Sequence, residues 1–414
     1  MIKKSIIRKL TNTVNNSEKT ALFFIILLTF LMKVVFVSVV YTNNGTGNWS
    51  DDWYYLSMGE QIAQGNWEPQ MIVGPVIPLI IAFFIKIFND PVIPMFVFNI
   101  FVTSLLVLVL FDLGKELFNK KVGWCMAIWG ALFIECFKYS PHLLKEPVLF
   151  LIVPLTFLLL FKSIKHDFSL KHIALSSLSY AFLIHTDERF IIYLPFFAFA
   201  FFLVKRRSFY NSFKPSIIWI GFVLFLMLPW GIRNYKVFGQ VVIISSRTTA
   251  FTSKLWGEDL AKLPFTEGYE PADKTLELAI EFGKENGIVP REYGKNEARV
   301  RAFINFWQPA YFKPAYIQYG SRPQKWSFKH NVSGLIFYGI FLPFYLVGIL
   351  LLIKKKDFIG LFLATIPVIH SILHAYMVWP LERYRSPIVF IVVMIGIWAV
   401  TEIFSWLRSF YRSH

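Results

Sequence analysis

The chain has 414 residues, of which 56% are apolar and 16% are charged, with a formal net charge of +16 and a mean hydropathy of +0.52. Soluble domains usually have about 45–50% apolar and about 25% charged residues. Here the apolar residues come in long blocks between short basic clusters, and such blocks can cross a hydrocarbon core of about 30 Å as helices. The composition therefore excludes a soluble enzyme, a disordered chain and a disulfide scaffold, and it predicts an all-α polytopic membrane protein.

The first predicted element is a transmembrane helix over residues 21–41. Five Lys or Arg residues precede it, but the apolar run is too long for a signal peptide and no small-x-small cleavage site follows. With this helix included, the hydropathy pattern predicts about ten spans. The others lie at about 92–111, 122–139, 147–161, 172–185, 190–204, 215–232, 333–353, 358–378 and 387–407.

The distribution of basic residues predicts the orientation of these helices. With the N-terminus in the cytoplasm, twenty of the 42 Lys and Arg residues fall in cytoplasmic clusters, and residues 42–77 contain none. This asymmetry follows the positive-inside rule and predicts a multi-pass protein of the plasma (inner) membrane whose active face is external or periplasmic. The net positive charge is thereby explained by orientation and by anionic membrane lipid, and no nucleic-acid partner is expected.

Two external segments remain between the predicted spans. Residues 42–90 are acidic and aromatic and end in GPVIPLIIAFFIKIF, which is too short to span and is expected to be an interfacial helix. Residues 233–330 are polar, with helix-like stretches near 272–286 and 292–307, and are expected to form a small external cap segment. The predicted organisation is thus a transmembrane module (1–232) that includes the first external loop, the cap segment (233–330), and C-terminal transmembrane helices (331–414).

The cysteines and two of the histidines indicate no metal or disulfide framework. Cys125 and Cys136 lie in one apolar stretch, about 16 Å apart if helical, which is too far to bridge. Both are predicted to be small core residues. His370 and His374 share a helix face, but a zinc site usually needs three or four ligands. They are predicted to be hydrogen-bonded histidines, and a divalent metal is left open.

Ionisable residues gather at the external ends of the predicted helices. Such groups are costly near the membrane and are often functional. An acid can take a proton from an attacking hydroxyl, while Arg and Lys can stabilise a departing phosphate. The pattern therefore suits a lipid-linked anionic substrate. Simpler roles stay open: Asp51 and Asp52 can cap the helix that follows, and Arg233 can anchor a helix end. The external groups are Asp51, Asp52, Glu60, Glu135, Lys138, His142, Lys145, Glu146, His185, Asp187, Glu188, Arg189, Arg233, His370, His374, Glu382, Arg383 and Arg385.

Four stretches of the sequence resemble one family. They are SDDWYYLSMGEQIAQGNW, GPVIPLIIAFFIKIFND, LPWGIRNYKVFGQ and ERYRSPIVFIVV. They resemble, in turn, the first external loop, the Pro-rich interfacial helix, a bacterial signature at the outer end of a span, and the start of the last helices. The family is that of the C-type, multi-spanning glycosyltransferases that use polyprenyl-phosphate sugars, which includes protein O-mannosyltransferases and the aminoarabinose transferase of lipid A.

The resemblance implies roles for individual residues. Asp51 matches the family's catalytic acid, and Asp52 stands where Glu is more usual, so both are predicted to be catalytic. Arg383 and Arg385 are expected to bind the phosphate. The remaining candidates for substrate binding are Arg189, Lys145, Glu146, Arg233 and Tyr55.

The predicted function is an inverting glycosyl transfer from a polyprenyl-phosphate sugar to an envelope acceptor, with no certain cofactor. Two alternatives remain at this stage. The first is a transporter or flippase of a lipid-linked saccharide, although the charges lie at the helix ends and transporter sites usually lie near the midplane. The second is a non-catalytic scaffold that binds a partner through the cap segment.

Overall fold

The structure is a computed structural model, and it describes residues 2–44, 50–67, 73–203, 209–239, 242–245, 299–300, 303–304, 306–309, 328–377 and 382–413. The described residues form helices and no strands, as predicted. The helices are α1 (Ile2–Asn44), α2 (Ser50–Ala63), α3 (Val76–Phe88), α4 (Val92–Leu117), α5 (Lys120–Leu132), α6 (Ile134–Tyr139), α7 (Glu146–Lys165), α8 (Leu170–Thr186), α9 (Leu194–Leu203), α10 (Phe209–Phe238), α11 (Phe328–Phe337), α12 (Leu342–Lys355), α13 (Phe358–Met377), α14 (Glu382–Arg385) and α15 (Val389–Ser413). Short 3₁₀ turns cover Glu188–Tyr193, Gly339–Phe341 and Ser386–Ile388.

The described chain contains eight helical stretches that are long and apolar enough to cross a membrane. They are Ser17–Tyr41, Val92–Leu117, Lys120–Tyr139, Glu146–Lys165, Phe213–Val237, Val332–Lys355, Phe358–Ala375 and Ser386–Arg412. Each corresponds to a predicted span. The other two predicted spans, 172–185 and 190–204, are shorter: α8 has 17 residues, and a 3₁₀ turn leads into α9 with 10 residues. The protein is thus a multi-pass membrane protein.

The predicted interfacial segment is the helix α3, which has 13 residues and is strongly apolar. A helix of this length rises about 20 Å, less than the thickness of the hydrocarbon core. Its length is therefore the one expected of a helix that lies along the membrane surface.

The chain divides into two units. The first comprises Met1–Gly65 and Ile77–Leu158, and the second comprises Asn66–Val76 and Leu159–His414. Most of the predicted cap segment, including the helix-like stretches at 272–286 and most of 292–307, lies outside the described residues.

The first unit is built around the antiparallel pair α4 and α5. Asn119 connects them and caps α5, since its side chain accepts hydrogen bonds from the backbone N–H groups of Lys121 and Val122. The two helices approach closely at Gly114 and Gly123: a Cβ on Gly123 would lie 2.7 Å from the Phe111 carbonyl oxygen.

Cys136 is buried, as predicted, but Cys125 is exposed. The prediction of a core position for Cys125 was wrong because that residue lies on the outer face of α5.

A lysine lies in the middle of the apolar stretch of α1. Lys33 is fully buried, and its Nζ donates a hydrogen bond of 2.9 Å to the Thr103 carbonyl oxygen on α4. The same Nζ lies 5.4 Å from the ring centre of Phe137 on α6. A buried polar group needs such partners because unmet hydrogen bonds are costly at membrane depth. Lys33 therefore links three helices of the first unit.

The second unit is held by polar contacts between otherwise apolar helices. Trp219 on α10 donates to Ser176 on α8 over 3.0 Å, and Ser177 donates to the Trp219 carbonyl oxygen. Tyr345 on α12 donates to the Ala364 carbonyl oxygen on α13 over 2.6 Å. Each contact satisfies a buried polar group by bridging two helices, so these contacts also define how the neighbouring helices pair.

Candidate functional site

The predicted catalytic pair, Asp51 and Asp52, lies in the first turn of α2. The Asp52 carboxylate accepts a hydrogen bond of 2.9 Å from His142 Nδ1 and one of 3.0 Å from the Leu143 backbone N–H. Successive helical side chains are about 100° apart around the axis, so Asp51 points in a different direction from Asp52. The two acids therefore point in different directions, and Asp52 is tied to residues 140–145, here called the 140–145 loop.

The 140–145 loop is itself held from α4. The Asn99 side-chain amide donates to the carbonyl oxygens of Ser140 (3.2 Å) and His142 (2.7 Å), and Asn99 is fully buried. Carbonyl groups of a loop near the membrane need hydrogen-bond donors. Here the side-chain amide of Asn99 donates to two of them. Asn99 was not among the predicted site residues. Its signal in the sequence is an amide inside the apolar run 92–117.

Three of the predicted substrate-binding residues lie in the first unit. Glu146 is the first residue of α7, where the helix dipole favours a negative charge, and both Lys145 and Glu146 are buried. Tyr55 is buried one turn after the acids, with its ring centre 6.2 Å from that of Tyr54. The loop, the start of α7 and the start of α2 are thus parts of one unit.

The second unit positions Arg189 on residues 185–189, here called the 185–189 turn. The fully buried Asp187 accepts hydrogen bonds from Arg189 Nε (2.8 Å) and Nη2, and also from the Arg189 backbone N–H (3.2 Å). The Arg189 Cζ lies 4.2 Å from the ring centre of Tyr384. Burial opposes the charged form of Arg189, but the adjacent Asp187 favours it more strongly, so the pKa of the guanidinium is raised above its usual value.

The 185–189 turn packs against the start of the GPVIP motif. The Gly74 backbone N–H donates to the Glu188 carboxylate over 3.3 Å. A Cβ on Gly74 would lie 2.1 Å from the His185 carbonyl oxygen. Only glycine fits so close to another backbone, which explains the residue at this point of the motif.

The two predicted phosphate-binding arginines lie on α14. Arg385 is buried, and its Nη1 donates to the carbonyl oxygens of Phe306 (2.7 Å) and Gln308 (2.9 Å). Its Cζ lies 4.3 Å from the Tyr338 ring centre. These contacts give Arg385 a structural role in holding residues 306–309, and phosphate binding by Arg385 stays a prediction. The Arg383 side chain lies outside the described residues.

Arg233 and its neighbours hold two other segments of the second unit. Arg233 donates to the Trp67 carbonyl oxygen and to the Asn234 side chain (2.8 Å). Asn234 donates to the carbonyl oxygens of Val242 (2.9 Å) and Ile244 (3.1 Å), and Trp230 Nε1 also donates to Ile244 over 2.7 Å. The PWGIRN motif therefore organises the chain where the predicted cap segment begins.

The paired histidines are hydrogen-bonded, as predicted. His370 Nε2 donates to the Tyr384 carbonyl oxygen over 2.9 Å, and its Nδ1 accepts from the Tyr193 hydroxyl. His374 Nε2 lies 3.1 Å from His370 Nε2. Among the described residues, no group of three or more His, Cys, Asp or Glu side chains is arranged to hold a metal ion.

Part of the chain matches a known protein family. Residues 72–232, less than half of the chain, match the family model of dolichyl-phosphate-mannose-protein mannosyltransferases. No curated protein matches the chain. The matched residues include Gly74, the 140–145 loop and the 185–189 turn.

The solved structures that resemble the chain include three of the oligosaccharyltransferase of Archaeoglobus fulgidus. The apo form has 13% identity and a TM-score of 0.54, covering 94% of this chain and 51% of that one. The complex with Zn and sulfate has 13% identity and a TM-score of 0.55, with coverages of 92% and 49%. The complex of this enzyme, AglB, with an inhibitory peptide and a dolichol-phosphate has 14% identity and a TM-score of 0.54, with coverages of 96% and 52%. The chain thus spans about half the length of these structures.

These findings define the class of fold. The described chain has the fold of a polytopic C-type glycosyltransferase, and its central part is similar to the dolichyl-phosphate-mannose-dependent mannosyltransferases. The resemblance predicted from the four sequence motifs is confirmed.

Proposed function

We propose that the protein is a membrane glycosyltransferase that takes a sugar from a polyprenyl-phosphate donor and transfers it to an acceptor on the external face of the plasma membrane. The observation that carries this proposal is the family match over residues 72–232. These residues include both the 140–145 loop, which donates hydrogen bonds to Asp52, and the 185–189 turn, which contains Arg189. The complex of AglB with a dolichol-phosphate supports a lipid phosphate as the carrier.

In the proposed reaction Asp51 is the general base. It takes the proton of an acceptor hydroxyl or amine, whose heteroatom attacks the anomeric carbon of the donor sugar. The bond from that carbon to the phosphate oxygen breaks, and its electron pair leaves with the polyprenyl phosphate. Attack opposite the leaving group inverts the configuration of the sugar. Asp52 is the positioning partner, because its hydrogen bonds to His142 and Leu143 fix the start of α2.

The cations stabilise the phosphate as it leaves. Arg189 is the best-organised candidate: Asp187 engages its Nε and Nη2, while its Nη1 has no hydrogen-bond partner among the described residues. A fixed donor aimed at developing charge stabilises a transition state without reorganisation. Arg383, Arg385 and Lys145 are also proposed to bind the phosphate, and Glu146, Arg233 and Tyr55 are proposed to contact the rest of the substrates.

The central test separates base catalysis from phosphate binding. The protein is purified into lipid nanodiscs, and two quantities are measured: binding of a long-chain polyprenyl phosphate, and release of that phosphate from polyprenyl-phosphate mannose in the presence of envelope membranes. Asp51→Asn is expected to slow release about 10²–10⁴-fold, because a general base is lost, while lipid binding is unchanged. Arg189→Gln is expected to weaken lipid binding about tenfold or more, because a charged hydrogen bond is lost.

Matched controls are Asp112→Asn near the C-terminal end of α4 and Arg408→Gln in the exposed C-terminal part of α15, and both should behave like the wild type. Full release activity in Asp51→Asn would remove Asp51 as the base. Transport of a lipid-linked saccharide by both the wild type and Asp51→Asn, without any release, would instead establish the flippase.

A further inference from the structure

Four side chains of the second unit form a continuous stack, here called the Arg189 stack. The Arg189 guanidinium lies on the Tyr384 ring, with Cζ 4.2 Å from the ring centre. The Tyr384 ring lies parallel to His374, with centres 5.0 Å apart and planes 10° apart. His374 in turn lies parallel to Phe306, with centres 6.0 Å apart and planes 15° apart. The stack therefore runs from the 185–189 turn to Phe306, which belongs to the predicted cap segment.

Hydrogen bonds hold the backbone of two segments that contribute rings to the stack, at Tyr384 and at Phe306. His370 donates to the Tyr384 carbonyl oxygen over 2.9 Å. Arg385 donates to the carbonyl oxygens of Phe306 and Gln308. Tyr384, His374 and Phe306 are all buried. The rings consequently form a fixed support and not a set of mobile side chains.

This support limits the movement that Asp187 leaves to Arg189. The carboxylate engages Nε and Nη2, so it fixes one edge of the guanidinium within its plane. These hydrogen bonds do not by themselves fix the tilt of the plane about that edge, and the Tyr384 face opposes tilting through its attraction for the cation. The direction of Nη1 therefore depends on Asp187 and Tyr384 together.

We propose that Tyr384 and His374 are positioning residues for Arg189, and that the Arg189 stack makes donor-phosphate affinity depend on Phe306 in the cap segment. This inference rests on the proposed function of Arg189. It assigns a task to the Tyr of the ERYRSP motif. It also gives the predicted cap segment a physical connection to the cation that is proposed to hold the donor phosphate.

The first experiment is a double-mutant cycle on polyprenyl phosphate binding by the full chain in nanodiscs. Tyr384→Leu is expected to weaken binding about fivefold to tenfold, the range of a partly buried cation–π contact. In the Arg189→Gln background the same change should produce no further loss, because Tyr384 acts only through Arg189. Equal losses in both backgrounds would overturn the proposal. Trp398→Leu is the matched control, since it removes a buried ring below Lys355 and should leave binding unchanged.

The second experiment keeps the volume of the ring at position 384 nearly constant, so that the variants are expected to fold like the wild type. Phenylalanine and its mono-, di- and trifluorinated forms are introduced at position 384. Fluorine withdraws electron density from the ring face, so affinity for polyprenyl phosphate should fall with each added fluorine if the cation–π contact positions Arg189. Affinity that is independent of fluorine would overturn the proposal.

The third measurement tests the connection to the cap segment. Phe306→Leu should weaken polyprenyl phosphate binding about threefold through loss of the ring contact with His374, and Phe306→Tyr should restore it. Unchanged binding in Phe306→Leu would overturn the connection. The two proposals fail in different ways: unchanged binding in Arg189→Gln removes Arg189 from the proposed phosphate site, whereas loss in Arg189→Gln without a fluorine effect overturns only the stack.

Discussion

The 140–145 loop of the first unit and the 185–189 turn of the second unit are held in place by different means. The 140–145 loop is held by side-chain hydrogen bonds: Asn99 donates to two of its carbonyl oxygens, and Asp52 accepts from its backbone. The 185–189 turn accepts a hydrogen bond, from the Gly74 N–H to the Glu188 carboxylate, but it also packs through a backbone approach that leaves no space for a side chain at Gly74. The two segments should therefore tolerate different substitutions. The 140–145 loop should be sensitive to the loss of a hydrogen-bond donor, and the 185–189 turn should be sensitive to added side-chain volume.

Gly74→Ala should have the largest effect on stability. The added Cβ would lie 2.1 Å from the His185 carbonyl oxygen, and neither backbone can move aside cheaply. We expect a loss of about 3 kcal/mol, at the upper end of overpacking, seen as a lower midpoint of thermal unfolding in detergent. Gly221→Ala is the matched control, since nothing lies within 4 Å of its Cβ position. If both variants melt alike, added volume is not what the 185–189 turn excludes.

Asn99→Ala should have an intermediate effect, and it tests the other side of the comparison. It leaves the carbonyl oxygens of Ser140 and His142 without their donor, at a cost of about 2 kcal/mol. Thermal unfolding should show this loss. Ser104→Ala on the same helix should be nearly neutral, because among the described residues the Ser104 hydroxyl bonds only to the Ile100 carbonyl oxygen of its own helix. A neutral Asn99→Ala would mean that the two hydrogen bonds from Asn99 do not hold the loop.

Asn234→Ala should have the smallest effect of the three. It removes the hydrogen bonds that Asn234 donates to Val242 and Ile244 and the one that it accepts from Arg233, but Trp230 still donates to Ile244, so we expect a loss of about 1 kcal/mol. Faster proteolysis near residues 242–245 would report the same loosening. The neighbouring exposed Tyr235 provides the control as Tyr235→Ala. Resistance to protease equal to that of the control would contradict the tethering role of Asn234.

Much of the fold could be predicted from the sequence because the membrane imposes a length on each helix. In the described part of the chain, all eight long helical stretches coincide with apolar runs. The runs at 172–185 and 190–204 were harder to interpret, since hydropathy does not reveal that a 3₁₀ turn at Glu188–Tyr193 interrupts the apolar sequence. Cys125 was placed in the core because an apolar run does not show which face of a helix is packed.

The candidate site was less predictable because its contacts join distant residues or backbone atoms. Asp52 and His142 were both noted as charged or polar groups, but their contact across ninety positions has no local signal. Arg385 bonds to backbone carbonyls, and a carbonyl is present at every residue. Tyr384 could have been suspected, since a ring between two arginines is a ready partner for a guanidinium.

The buried Lys33 has a consequence for biogenesis. A lysine at the centre of a helix opposes insertion from the translocon by about 2.5–3.5 kcal/mol. Its acceptor, the Thr103 carbonyl oxygen, is synthesised seventy residues later. The first helix therefore obtains a partner for its amine only when α4 leaves the ribosome, so the two helices should enter the lipid as a pair.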